Sequence, residues 1–472
     1  MSLSRRRFLK LSSIAAMSIS MLPAAVRAEK NEGYPLLPIP PLLESHFGQP
    51  LFLTLKKSYW SFDGSHRTNT IGCNGYYLGP TIRVETGSDL KLVYSNRLSE
   101  EVAMTVSGLQ VPGTQIGGVA RLMSPNVDWS PILPIRQPAA TCWYHANTPG
   151  KMAKQIHDGL VGMWIVSGKN SKNLNIPNHY GFDDFPIIMQ DKRLDSFGRP
   201  HYKATAEGFL GDTLLVNGVQ EPYIKVACGW IRLRLLNASN SRRYVLEISD
   251  KRSFYLIGSD QGLLPAPVSI EKLPMAPGER REVLIDMSKT ELLTITAGRA
   301  AGVMDRIKGL FESSTLLNST KVLTICSSGL LSLVTDNLPQ TLVNDTSQIT
   351  STIRNRDVAL SKPFGINGMM RDVNRIDLIT QQGAWERWTV RANEPQAFHI
   401  EGVRFKVINH NGVVPGPEDY GWKDTVWING YSELLVNMLQ PSYDHFPFLY
   451  FSQNLEKADK GSVAQIVINP SA

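Results

Sequence analysis

At 472 residues, 42% hydrophobic and 19% charged, the chain exceeds what one core serves and reads as two to four folded domains, which excludes a disordered or fibrous protein. Its 37 glycines and 29 prolines fit a chain of many turns, rich in strands. The formal charge of +7 is no argument for nucleic acid: five basic residues (Arg5, Arg6, Arg7, Lys10, Arg27) and no acid fall within residues 1–28, which leaves +2 beyond them.

Residues 1–28 form a unit of their own. They open with Ser4-Arg5-Arg6-Arg7-Phe8-Leu9-Lys10, continue with an apolar run from Leu11 to Leu22 that is too short to span a bilayer comfortably, and close with Val26 and Ala28 at the two small-residue positions of a cleavage site. This order predicts a removable twin-arginine signal, with the twin-arginine translocase as partner during export and no stable membrane insertion afterwards. The weaker alternative is a basic amphipathic anchor helix. Export by this route places the folded chain outside a bacterial inner membrane, in the periplasm.

Beyond the signal, three segments share one grammar: CNGYYLGPTIRVETGSDLKLVYSN, VNGVQEPYIKVACGWIRLRLLNAS and INGMMRDVNRIDLITQQGAWERWTVRA. Each runs Asn-Gly, apolar strand, glycine turn, alternating strand, and the asparagines Asn74, Asn217 and Asn367 stand 143 and 150 residues apart. Leu90, Leu92 and Tyr94 alternate with polar neighbours, as do Ile231, Leu233 and Leu235, and Trp385 to Val390 follows a looser form. The Asn-Gly pairs suit turns that need positive φ. The prediction is an all-β protein of three consecutive Greek-key β-sandwich domains, at 29–168, 178–328 and 340–472, with proline-bearing connectors near Asn175–Pro177 and Leu338–Pro339. One helix is expected at 299–313, where Val303, Ile307, Leu310 and Phe311 share a face. It would pack on its own sandwich or, less simply, present a partner-binding face.

Side chains with chemistry are scattered. Cys73, Cys142, Cys228 and Cys326 lie far apart without a C-x-x-C, so zinc is disfavoured, and free thiols are expected although an exported protein could pair them. There is no G-x-S-x-G, H-E-x-x-H or phosphate-binding glycine loop. Asp183 and Asp184 read as a turn leading into a strand, ahead of a glycosidase-like carboxylate pair. His46, His66, His157, His179 and His445 make no usable spacing.

The middle segments LLNASNSRRYVLEI and GSDQGLLPAPVSIEKLPMAPGERREVLIDM, with INGMMRDVNRID and GWKDTVWI further on, resemble the three-domain multicopper oxidases, whose units are cupredoxin-like. That resemblance implies four histidine-rich copper motifs, and each can be located by its flanks. Where H-x-H-G is due, the chain has Thr105, Val106, Ser107 and Gly108. The second motif falls on Trp143 to Gly150 and keeps only His145, with Asn147 in a ligand place. The third is QAFHIEG, where Gln396 and Glu401 replace histidines and His399 remains. The fourth, H-C-H-x-x-x-H, maps onto Phe451, Ser452, Gln453, Lys457 and Ser462. A blue copper centre needs a thiolate with two imidazoles, and Ser452 is no thiolate. No catalytic, cofactor or metal residue is therefore assigned, and no cofactor is expected. His145 and His399 read as polar core histidines bonded to neighbours such as Glu401 or Asn147, with weak capture of one copper ion as the alternative.

The signal, LPIPPLLESHFGQPLFLT, GLQVPG, QDKRLDSFG, GDTLLVNGVQ, QAFHIEG and GWKDTVW together resemble the FtsP (SufI) family of cell division proteins over the whole chain. This resemblance implies a non-enzymatic periplasmic protein recruited to the division septum, where it supports the divisome under stress, with divisome proteins of the septal ring as partners. The rivals are a copper-dependent oxidoreductase with a reduced site and a periplasmic chaperone or binding protein.

Overall fold

The computed structural model describes residues 30–31, 34–75, 77–205, 207–298, 320–331, 333–334, 337–345 and 354–471. The expected signal at 1–28 and the expected helix at 299–313 lie outside them. Strands dominate the described residues, and their connectivity repeats three times.

In each repeat a leading strand pairs in parallel with the strand after the glycine turn. These pairs are Leu51–Trp60 with Asp89–Asn96, Asp184–Lys192 with Trp230–Asn237, and Arg354–Leu360 with Trp385–Ile400. A second parallel pair joins the strand after the Asn-Gly turn to the last strand of the repeat: Thr81–Glu85 with Val161–Ser167, Tyr223–Cys228 with Thr320–Leu331, and Leu378–Gln381 with Val463–Asn469. Parallel pairs cannot be joined by a tight hairpin. The chain must cross between layers each time, which gives the expected sandwich of Greek-key type.

The Asn-Gly grammar has a common physical cause. Asn74, Asn217 and Asn367 adopt φ of 57°, 49° and 53°, a left-handed conformation that asparagine tolerates better than most residues. Each side-chain oxygen then accepts a backbone N–H of the leading strand, from Thr54 at 2.9 Å, Ile188 at 2.7 Å and Ala359 at 2.7 Å. The backbone N–H of each asparagine returns a bond to the carbonyl of that same strand residue. One residue thus pins the turn to the strand that opened the unit.

Alternation does the packing. Leu90, Leu92 and Tyr94 are buried, as are Ile231, Leu233 and Leu235, each side chain being worth about 1.5–3 kcal/mol of transfer free energy. In the third unit the long strand Trp385–Ile400 shifts register between Ala392 and Gln396; its first half pairs with Arg354–Leu360 and its end with Phe448–Ser452. The looser alternation at Trp385 to Val390 lies before that bulge and comes from Glu386, a charge on the buried side with Trp388 and Val390 that is taken up by Arg356, Thr380 and the Trp388 indole. The second unit has its own apolar cluster, whereas the first and third share a contiguous one. Between the first two units lies Lys192, wholly buried. Its ammonium donates to the His157 carbonyl and faces the rings of Tyr77 and Phe62 at 5.4 and 5.9 Å, and burial pushes it down to about 7.

All four cysteines are free: Cys73 and Cys142 are buried, Cys228 and Cys326 half-buried. Asp183 and Asp184 lead the strand, as expected, and form no carboxylate pair at a cleft. Asp184 is held by Arg234 at 2.8 Å, and Asp183 accepts from the His179 backbone at 2.6 Å. Among the described residues no helix is long and apolar enough to cross a membrane.

Candidate functional site

The four segments that align with copper motifs converge between the first and third units. Thr105 and Ser107 lie on Met104–Ser107, which pairs with Ala140–Ala146 so that His145 stands opposite Thr105 and Trp143 opposite Ser107. His399, near the end of Trp385–Ile400, stands opposite Phe451. Sheet pairing fixes each residue, and the shared apolar cluster brings the two edges together.

At their meeting point two imidazoles share one hydroxyl. Ser107 Oγ lies 2.9 Å from His145 Nε2 and 3.5 Å from His399 Nε2. His145 Nδ1 donates to the Ala146 carbonyl at 2.9 Å, so its Nε2 offers only a lone pair and Ser107 donates to it. Burial, with the neighbouring His399 and Arg280, pulls His145 down to about 3 against that hydrogen bond, so the ring is neutral. His399 Nδ1 bonds Thr425 Oγ1 at 2.9 Å and lies 3.4 Å from Asp424. Glu401 and Asn147, expected as partners of these histidines, bond each other at 3.1 Å instead, because both project from the strand ends across the joint. Burial raises the Glu401 carboxyl, although the Leu449 N–H at 3.0 Å opposes this.

The blue-copper place is filled in the same way. Ser452 Oγ donates to Gln396 Oε1 at 2.7 Å, and Ser462 Oγ accepts from the Gly365 N–H at 2.9 Å. Lys457 reaches Glu394 at 2.9 Å, and Lys362 reaches the same carboxylate at 2.7 Å. Hydrogen bonds from Lys362 and then Lys457 pull Glu394 down to about 2.

Behind the histidines lies a buried charge cluster that ties all three units. Arg280, fully buried, donates twice to Asp424 at 2.8 and 2.6 Å, and also to the carbonyls of Thr141, Gly278 and Asp260. Asp424 further accepts from Gln261 and Thr425, so its oxygens are satisfied. Burial alone would raise it, but the Arg280 guanidinium holds it well below the usual carboxylate range. Lys423 bridges Glu279 and Asp419 at 2.7 and 2.8 Å, and Arg281 bonds Glu279 at 2.9 Å. Gly108 closes this junction from the first unit: at φ +93° its missing Cβ would lie 2.6 Å from Arg280 Nη2 and 2.9 Å from Cys142 Sγ. A second cluster binds the first two units through Thr141 and Glu282 at 2.6 Å, with Glu282 also paired to Arg232 and Arg234.

The short helix Leu455–Asp459, within the segment aligned with the fourth copper motif, touches every unit. Glu456 accepts from Asn240, Tyr202 and Ser241 at 2.7, 2.8 and 3.0 Å in the second unit. Asp459 accepts the N–H groups of Met152 and Ala153 at 3.0 and 2.9 Å, at the start of the first-unit helix Met152–Asp158. Asn454 caps the helix and donates to the Glu207 carbonyl. The motif segment serves as a joint.

The donors present do not fit a copper cluster. Among the described residues no group of three or more histidine, cysteine, aspartate or glutamate side chains is placed to hold a metal ion. The His145 lone pair is taken by the Ser107 hydroxyl, where a cation would have to sit, and the Arg280 charge lies nearby. Ser107, His399 and Asp424 have the composition of a hydrolytic triad, but Ser107 is nearer to His145 and the adjoining cavity suits about one water molecule.

Multicopper oxidase family models match residues 54–171 and 339–472. The laccase-like multicopper oxidase CueO from Ochrobactrum sp. has a TM-score of 0.84 against this chain, at 29% identity over 92% of it and 100% of its own length. The McoA multicopper oxidase from Aquifex aeolicus also reaches 0.84, at 25% identity, over 92% of this chain and 99% of its own. The cell division protein FtsP of Photorhabdus laumondii is 62% identical over 100% of this chain and 99% of its own, and the FtsP of Escherichia coli K12 is 59% identical over 100% of both. The chain belongs to the FtsP family of cell division proteins. Its fold is that of the multicopper oxidases, and the FtsP resemblance carried by GLQVPG, QAFHIEG and GWKDTVW holds along its whole length.

The sequence missed the charge cluster. Within MAPGERR and GWKDTVW, Glu279-Arg280-Arg281-Glu282 and Lys423-Asp424 are charges set directly against apolar strand residues. Charges in such company are buried only when paired, and that was the available signal.

Proposed function

We propose that this chain is an exported, non-enzymatic cell division protein that stabilises the division machinery at the septal ring under stress. The twin-arginine translocase carries it folded, residues 1–28 are removed, and three sandwiches taken as 29–168, 178–328 and 340–472 act together in the periplasm. The observation that carries the reading is the Ser452–Gln396 bond with the helix that follows it. Positions aligned with copper ligands spend their polar groups on each other, across units in the Asn147–Glu401 bond, and Glu456 and Asp459, which lie between such positions, reach the neighbouring units. A scaffold kept rigid while its redox donors are replaced is suited to binding through its surface. The names of its full-length relatives point to division.

The test is an export-compatible fluorescent fusion followed in dividing, stressed cells. Enrichment at the septum is expected, and uniform periplasmic signal would overturn the reading. The rival, an oxidoreductase with a reduced copper site, rests on the approach of His145 and His399 to one hydroxyl. Copper loading followed by dialysis and a phenol or cuprous oxidation assay decides it: retained stoichiometric copper with turnover favours the rival.

A further inference from the structure

The outer face of the first sheet of the first unit carries apolar side chains without cover. Sheet order runs Ile132–Pro134, Asp89–Asn96, Leu51–Trp60, Thr68–Cys73. Ile132 stands opposite Lys91 and Phe52 opposite Val93, so with alternation Ile132, Lys91, Val93, Phe52 and Lys56 share one face. Phe52 is 57% and Ile132 56% exposed. Among the described residues no ion pair or hydrogen bond holds the Lys56 or Lys91 ammonium. The acids on the same face are already neutralised, Asp89 by Arg136 at 2.5 Å and Asp128 by Arg97 at 2.8 Å.

We infer that this face docks a short acidic segment of a protein partner, with Phe52 and Ile132 seating its apolar side chains and Lys56 and Lys91 meeting its carboxylates. The inference deepens the functional reading above and rests on its premise that the chain works by binding proteins. By strand spacing and rise the patch runs about 20 Å from Lys91 to Lys56 and about 10 Å across, which suits about six extended residues rather than a whole globular surface. Two free lysines add about 1 kcal/mol each at an anionic bilayer, which falls short of stable anchoring and favours a protein over a lipid surface.

The test places the photo-crosslinker p-benzoylphenylalanine at position 52 of the otherwise intact chain in dividing cells, with position 373, an exposed valine of the third unit, as control. The expected result is a protein adduct at position 52 that maps to a segment rich in Asp and Glu. It is lost in Lys56→Glu/Lys91→Glu and kept in Lys56→Arg/Lys91→Arg, all with unchanged melting temperatures. No adduct at 52 while the fusion still enriches at the septum overturns the docking face and leaves the functional reading standing. An adduct indifferent to charge reversal also overturns it, as does lysine-dependent binding of the purified protein to phosphatidylglycerol vesicles. A fusion that is uniform in the periplasm, with the adduct intact, overturns the septal reading alone.

Discussion

Ser452 donates its hydroxyl hydrogen to the Gln396 side-chain carbonyl at 2.7 Å, so two residues on different strands of the third unit satisfy each other where a thiolate and an imidazole would face a metal. A neutral pair of this kind is worth about 1 kcal/mol when made and costs more when halved. The replacements therefore behave as matched sets. Ser107 with His145, Asn147 with Glu401, and Lys457 with Glu394 follow the same rule.

The Arg280–Asp424 pair gives the sharpest energetic test. Arg280→Met strands a buried carboxylate and is expected to cost about 3–5 kcal/mol, whereas Arg280→Met/Asp424→Leu costs less than either single change. Urea unfolding of the three variants measures it. Additive losses would show that the two groups are not coupled.

The asparagine anchors should rank by burial. Asn217 is nearly inaccessible and Asn367 exposed, so Asn217→Ala is expected to lose about 2–4 kcal/mol and Asn367→Ala about 1 kcal/mol. Thermal melts would compare them, and equal losses would contradict a shared mechanism graded by solvent access.

Gly108→Ala combines a left-handed φ with a Cβ driven against Arg280 and Cys142. A loss of about 2–3 kcal/mol is expected. The same change at Gly87, which has φ +92° and open space around it, isolates the backbone part and should cost about 1 kcal/mol. If the two variants melt together, the close approach at Gly108 carries no energy.

Lys192 predicts a pH dependence. Its folded value is near 7 and its unfolded value near 10.4, so between those pH values the unfolded chain binds a proton that the native state does not. Stability from this group therefore rises with pH from about 7 to about 10. Lys192→Met should remove that part of the slope, gaining more over the wild type at pH 7 than at pH 9. Parallel melting curves for the two proteins would count against it.

Much of the fold was legible because it rests on local rules. Asn-Gly needs a left-handed turn, alternation needs a half-buried strand, and both recur at Asn74, Asn217 and Asn367. The weakened alternation at Trp385 to Val390 marks the buried, paired Glu386, and the bulge between Ala392 and Gln396 left no such trace. The candidate site was legible as four places along the chain, since flanks such as GLQVPG mark them. Its partners were not, because Ser107, His399 and Thr425 meet only through the packing of two distant units. For the same reason Glu401 was expected beside a histidine and is found on Asn147.

The Leu455–Asp459 helix also sets an order of assembly. The first two sandwiches can condense as they emerge and meet through Thr141–Glu282 and Lys192–His157, but the seam is closed across both only by Glu456 and Asp459, which the ribosome delivers last among the elements of the joint. The finished shape is then a property of the whole polypeptide, and a truncated or stalled copy would present the paired first two sandwiches with a raw seam where the third should close.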